Sequence, residues 1–552
     1  MLSKSVHAAL AAIVWSGVAS AAPDAIYFNA NVWTGDPQRP KAEAIAIDSG
    51  SIVAVGSSAE VRGLADAKTR AVDLKGAFVV PGFIDNHVHL INGGLALAEV
   101  DLRDATTRAE FTKRIAAAAA KAPQGQWIKD GNWDHERWGG ELPTRAWIDP
   151  DTPNTPVFIS RLDGHMALAN SLVLKLAGID AKTPDPAGGS IVRDEKGQPT
   201  GILKDGAMDL VAKVIPPPSD RELEQGLERA MEHAVSRGVT QVHDMGGLES
   251  WRVIELYRRT EASGKLRLRI YSFAPLADWQ KAAEYKQRNG TGNAWLRWGG
   301  MKGFVDGSLG STTAWFHKPY EDAPNTTGLT MVDPAQLLAG ITAANQADLH
   351  VAVHAIGDRA NDWLLDAFDQ VEQSGAKKDW RFRIEHAQHL TPAAIKRFGP
   401  LGVIASMQPA HAIDDGGWAE KRIGAQRLKG TYAFRSLIDS GAHLTFGSDW
   451  PVAPLDPLTG IYAAVTRRTL DGANPNGWLP QEKITVAEAL RSYTAENAWA
   501  GFQEGKVGVL KQGALADFAV LSQDLFAVVP TEIPKVKVVR TVVGGRDMFV
   551  AR

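Results

Sequence analysis

The run Pro81-Gly82-Phe83-Ile84-Asp85-Asn86-His87-Val88-His89 carries the sharpest chemical signal in the chain. Two histidines one residue apart on an extended backbone point to the same side, so both imidazoles can reach one ion. Three further strand-like runs end in groups of the same kind. Leu349 to His354 ends in His354, Phe382 to His386 ends in His386, and Leu444 to Asp449 ends in Asp449. A lone histidine after a strand is more often a structural group than a ligand. Four such ends in one chain reverse that judgement if the fold gathers strand ends at one face. The sequence has no cysteine, so any ion is held by nitrogen and oxygen alone. That donor set suits one or two divalent cations, zinc foremost, with manganese, iron and cobalt also admitted.

The elements that position these groups follow from the patterning. The middle of the chain alternates apolar strand-like runs with amphipathic stretches, Arg221 to Arg237 and Pro334 to Asp348 being the clearest helices. Strand runs are expected at Phe83-Ile84, Val239 to Val242, Gly303 to Val305, Leu349 to Val353, Phe382 to Ile384, Val403 to Ser406 and Leu444 to Phe446. Polar residues follow strand after strand, which favours an α/β fold of the TIM-like (β/α)8 barrel type over an open sheet. Both ends of the chain read as short strands and Gly-rich turns, as in Ala25 to Phe28, Ser51 to Val55, Ala516 to Leu521 and Val536 to Val543. The expected organisation is a small β-sandwich from 22–79 and 505–552, and a barrel from 80–131 and 221–504. A Pro- and Gly-rich insertion at 132–220 lies over the barrel mouth, with the second barrel strand within it or beside it.

The chain has 552 residues, 44% of them hydrophobic and 22% charged, with a formal charge of -3. Charge is spread without long single-sign runs, so neither a nucleic-acid partner nor an acidic membrane surface is expected. Lys4, the apolar run Ala8 to Val18 and the small residues Ala19-Ser20-Ala21 have the form of an export signal. A mature protein beginning near Ala22, periplasmic or extracellular, is the expectation. No other stretch is long and apolar enough for a transmembrane helix.

Taken together, Pro81 to His89, the strands ending in His354 and His386, and Gly447-Ser448-Asp449-Trp450-Pro451 resemble the amidohydrolase superfamily in order and context. Met301 to Ser311, His354 to Ala360 and Arg161-Leu162-Asp163-Gly164-His165 narrow the resemblance to the amidohydrolase-3 branch, which contains N-substituted formamide deformylases. The resemblance implies a metal-dependent hydrolase of C–N amide-type bonds acting on a small molecule. In it His87 and His89 bind one metal with Asp449, and His354 and His386 bind the second. Lys302 stands where two-metal members carry a CO₂-carboxylated lysine that bridges the ions. Otherwise Lys302 is a lysine paired to Asp306 or Asp449. Asp449 is also the expected general base for water activated on the metal. The same metal site would serve an ester, lactone or cyclic amide, and a non-catalytic binding protein on this scaffold is the reading from another class.

Four further residues are candidates for the substrate. The branch resemblance places His165 over the site. His243 is expected after the third barrel strand, and His411 on the loop after the seventh. Trp133, with Trp138, Trp315, Trp418 and Trp450, lies near loops of the same face and either lines an apolar pocket or packs the insertion onto the barrel. His389 is read as structural or solvated, and His443 as lying at the barrel floor.

Overall fold

The computed structural model describes residues 22–552 except 124, 248 and 376–378, so the expected export signal lies outside the described residues. Eight strands, numbered along the chain, form one parallel sheet. They are β1 (Phe83–Val88), β2 (Val239–Asp244), β3 (Arg269–Pro275), β4 (Leu296–Phe304), β5 (His350–Ala355), β6 (Arg383–His386), β7 (Ile404–Met407) and β8 (His443–Phe446). Each pairs with its sequence neighbour in parallel register. β1, β2 and β5 to β7 are buried at every position, although β1, β2 and β6 carry polar residues that turn into the barrel or reach its mouth.

Helices return the chain between strands. Asp220–Ser236 leads into β2, opened by a capping box in which Ser219 and Glu222 satisfy each other's backbone N–H groups. Pro334–Gln346 leads into β5, with proline in the first turn, where its missing N–H costs nothing.

The barrel closes between β8 and β1 in two ways. Near the strand ends the Asp449 amide donates to the His87 carbonyl at 2.7 Å, and the His89 amide donates to the Trp450 carbonyl at 2.8 Å. Lower down no ladder forms among the described residues, and the buried Asn497 side chain fills the gap. Its amide group donates to the carbonyls of Ile84 and Phe446, and its oxygen accepts the Phe446 N–H. Gly447 makes the upper approach possible, because a Cβ there would lie 2.6 Å from the His87 nitrogen.

Both chain ends build two further sheets that share a core of Tyr27, Ile45, Val79, Phe518 and Val542. Phe78–Pro81 pairs antiparallel with Phe518–Leu521 and runs through Gly82 directly into β1.

The segment between β1 and β2 carries a five-stranded sheet of its own, in the order Gly189–Arg193, Pro199–Asp205, Met166–Ala169, Val157–Arg161, Ile128–Trp133. Two expectations are corrected here. The insertion starts well before residue 132, because Phe111 and Ile115 of the helix Arg108–Lys121 bury against Trp133, Trp147 and Ile159. Among the described residues no barrel strand runs within it, so the strand bearing His243 is the second of the barrel and not the third. Arg269–Pro275, hidden from pattern reading by its arginine and serine, is the third.

Candidate metal centre

Strand ends β1, β6 and β8 bring His87, His89, His386 and Asp449 to the floor of a cavity of about 460 Å³, with His411 reaching in from the helix Pro409–Asp415 after β7. His87 and His89 follow alternation on β1, as expected. His386 and Asp449 instead sit at φ 77° and 59°, in the left-handed region. That conformation costs roughly 1–3 kcal/mol per residue and persists where surrounding structure imposes it. Here it turns each side chain inward at the point where its strand stops.

The ring nitrogens are assigned by their partners. His87 Nδ1 lies 2.5 Å from the Glu385 carboxylate, and His89 Nδ1 lies 2.8 Å from the Gly246 carbonyl. Both oxygens only accept, so both Nδ1 atoms carry hydrogen and the neutral rings present a lone pair at Nε2. Burial lowers His87, which keeps the ring neutral. Burial would raise Glu385, but Arg383, which donates to both of its oxygens, leads the groups that hold it well below the usual carboxylate range.

The two Nε2 atoms stand 3.4 and 3.3 Å from Asp449 Oδ1. His87 Nε2 and Asp449 Oδ1 are buried without a hydrogen-bond partner. Two neutral nitrogen lone pairs facing a carboxylate oxygen need a cation between them. The donor set of two imidazoles and a carboxylate fits a divalent metal. A second set, His386, His411 and Asp449, also has its donor atoms within 4.8 Å of one another.

The insertion roofs this floor. His165 donates from Nδ1 to Asp205 at 2.6 Å and packs its ring 5.1 Å from that of His354. Burial would lower His165, but Asp205 outweighs it and holds the ring above its usual pKa. Asp163 accepts from Arg161 at 2.8 Å and from the hydroxyls of Ser308 and Ser311, tying the insertion to the loop after β4. Asp306 fixes that loop to the next one by accepting the backbone N–H groups of Trp315, Ile356 and Gly357.

The model of the amidohydrolase family, in its amidohydrolase-3 branch, matches residues 70–549 of the chain. The chain belongs to the amidohydrolase family. It is 41% identical over 553 residues to Protein LONG AFTER FAR-RED 3 of Arabidopsis thaliana, covering 97% of this chain and 94% of that one. It is 30% identical over 540 residues to N-substituted formamide deformylase of Arthrobacter pascens, covering 95% and 97%. Among solved structures, an uncharacterized metal-dependent hydrolase from Pyrococcus horikoshii superposes with a TM-score of 0.74 at 29% identity, covering 92% of this chain and 99% of that one.

In this amidohydrolase the residues expected at the site divide into three groups. His87, His89, His386, His411 and Asp449 converge. Lys302, His354 and His165 line the same cavity but stand outside both donor sets. His354 Nε2 is 3.0 Å from the Gly307 carbonyl, which commits that nitrogen as a donor. Lys302 is paired with neither Asp306 nor Asp449. Its ammonium lies 4.3 Å from the centre of the Phe304 ring, and burial lowers it to about 8.

His243 and Trp133 are corrected. His243 points into the barrel interior below the site, against Arg383 at 3.0 Å and Gln241 at 3.3 Å, and is fully buried. It is the penultimate residue of its strand, on the same face as Gln241, so alternation sends it inward. Trp133 donates to the Ile159 carbonyl and stacks on Trp138 in the insertion's own core. Of the other tryptophans, Trp418 lines the cavity. His389 is buried on Thr431, and His443 begins β8 and stacks on Trp499.

Sequence reasoning missed Glu385, Arg383 and the Asp205 partner of His165. A signal for the first two was present: opposite charges at alternate positions of a strand too short and too buried to reach solvent.

Proposed function

We propose that this chain is an exported, metal-dependent hydrolase of C–N amide-type bonds in small molecules, of the N-substituted formamide or N-acyl amide class. The observation that carries the reading is the convergence of His87 Nε2, His89 Nε2 and Asp449 Oδ1 at the floor of a roofed cavity. His87, His89 and Asp449 would hold the cation, zinc being the first choice for this donor set. When bound, it supplies Lewis acidity, making water a nucleophile at neutral pH and polarising a carbonyl.

The chain's own groups do the rest. Glu385 fixes the tautomer and orientation of His87. Asp449 accepts the proton of the attacking water and returns it to the leaving nitrogen, so the amine departs neutral. His165, held by Asp205, offers its ring to the substrate from above. The insertion limits the access of bulk water. Similarity to an N-substituted formamide deformylase supports the choice of bond. The testing experiment is a screen of formamides, N-acyl amines, esters and lactones against the metal-loaded protein. Amine release that a chelator abolishes is expected. Turnover of esters or lactones with no amide cleaved would overturn the choice of bond.

Export rests on Lys4, the apolar run after it and Ala19-Ser20-Ala21. Expressed with these residues in a bacterial host, the protein should be recovered outside the cytoplasm with Ala22 at its N-terminus. Retention of an intact N-terminus inside the cell would overturn it.

A further inference from the structure

We infer that the amine half of the substrate carries an ammonium group, drawn in by the acidic wall of the cavity and received by Asp130 of the insertion. This rests on the hydrolase reading above and narrows its substrate class. The first observation is a surplus of acid. Besides Asp449 at the floor, the cavity is lined by Asp130, Asp163, Asp205, Asp209, Asp414 and Asp415, whereas Arg161 and Lys302 are the only arginine and lysine among its described lining residues. Both cations are already engaged. Arg161 is shared between Asp134 and Asp163, each at 2.8 Å, and the Lys302 ammonium lies over Phe304 in the field of Glu385 and Asp449. A cleft walled by one sign of charge focuses its field on what enters.

The second observation is what these carboxylates lack. Asp205 accepts from His165 with Oδ1 at 2.6 Å, but its Oδ2 has no hydrogen-bond partner among the described residues, on a side chain 0% exposed. The Asp130 carboxylate makes neither an ion pair nor a hydrogen bond among the described residues, and the charge of Glu99 acts against it. Burial lifts Asp130 above the usual carboxylate range, and the adjacent Lys129 offsets this in part. Buried carboxylates are stable as anions when a cation answers them. Asp130 and Asp205 stand three strands apart in the insertion's sheet, so the acid surrounds the cavity instead of gathering at one point. Asp130 and Asn132 both line it from left-handed backbone, at φ 59° and 55°, a conformation retained where side chains serve a site. An ammonium offers three donors and no acceptor, which matches oxygens that only accept. Leu162, Leu309 and Met331 supply apolar surface for the methylenes that separate this group from the amide at the floor.

The test is an isosteric series read by binding as well as by turnover. N-(aminobutyl)formamide, N-(hydroxybutyl)formamide and formamidobutanoate, each substituted at the chain end, place an ammonium, a hydroxyl and a carboxylate in the same position, and longer spacers extend the series. Titration calorimetry on the metal-loaded protein gives Kd, and amine release gives kcat/KM. The ammonium compounds should be preferred to their hydroxyl twins by about 10-fold or more, with the carboxylates last. In Asp130→Asn the ratio of ammonium to hydroxyl compound should collapse, and in Asp130→Glu it should persist, circular dichroism checking that each variant is folded. Because a ratio is read, a general loss of function in a variant cancels. Equal Kd across the series, preference for the carboxylate, or an unchanged ratio in Asp130→Asn would overturn the inference. Cleavage of all three compounds with equal kcat/KM would sink it and leave the hydrolase reading standing. Binding of the ammonium compounds that depends on Asp130, with no amide cleaved, would do the reverse.

Discussion

Glu385 and Asp449 act on the same imidazole from opposite sides, and substitution separates their roles. Glu385→Gln keeps the shape but removes the negative charge that holds the His87 Nδ1 hydrogen. Metal affinity should fall roughly 10–100-fold, as for other outer-shell partners of a ligating histidine, with the unfolding midpoint of the apoprotein little changed. Isothermal titration with zinc measures it, and unchanged affinity would mean that the ring is held by packing alone. Asp449→Asn keeps one oxygen ligand and loses the base. With metal in excess, kcat should fall by about 10² or more, and the acidic limb of the kcat profile should change. A metal-saturated variant with kcat near wild type would show that another group takes the proton.

Among the elements, the seam between β8 and β1 is the most exposed to a single substitution. Asn497 makes three bonds to backbone groups of the two strands, and all are buried. Asn497→Ala leaves two carbonyls and one N–H without partners in the barrel wall. A loss of about 2–4 kcal/mol is expected, since each orphaned group costs about 1–3 kcal/mol and water can recover part of it. The midpoint of urea unfolding reports it. A shift within error would mean that the strands close directly once the side chain is gone. Because Asp449 and His87 exchange a backbone bond across the same seam, the variant should also bind metal more weakly.

For the molecule as a whole, burial of histidines makes stability depend on pH. Burial holds His350 and His389 at about 3, far below the usual imidazole value, with Arg383 lowering His350 and Arg427 lowering His389 further. Folded pKa values below the unfolded one mean that the unfolded chain binds more protons between about pH 6.5 and 3. Their share of the stability is therefore full above that window and falls as pH drops through it, by up to about 1.4 kcal/mol per pH unit for each histidine. The buried carboxyls Asp85, Asp306 and Asp415, held up at about 7 to 8, act in the opposite sense, so the histidine share is read as a difference between proteins. In thermal unfolding of metal-free protein between pH 6.5 and 5, His389→Gln should lose less stability than wild type as pH falls. An equal slope in the variant would place the proton uptake elsewhere. Among the described residues no helix is long and apolar enough to cross a membrane.

The sequence by itself determined the barrel and the first half of the site. Alternating strand and helix patterns specify (β/α) units, and His87 and His89 share a face because their spacing matches the strand repeat. That is local information, carried by neighbours in the chain. His386 and Asp449 were legible as residues ending strands, but their inward turn depends on left-handed backbone that only the closed barrel imposes. The partners that give the centre its chemistry were not legible, because they come together from distant strands and loops. Glu385 meets His87 across 298 residues, and Asp163 meets Ser308 across 145. His243 and Trp133 show the same limit from the other side. Each has a residue type that can serve a substrate, and only tertiary packing decided that one faces the barrel interior and the other the insertion's core. The composition of a site can be read from types and spacing, whereas the direction of each side chain is set by the closure of the sheet and by what packs behind it.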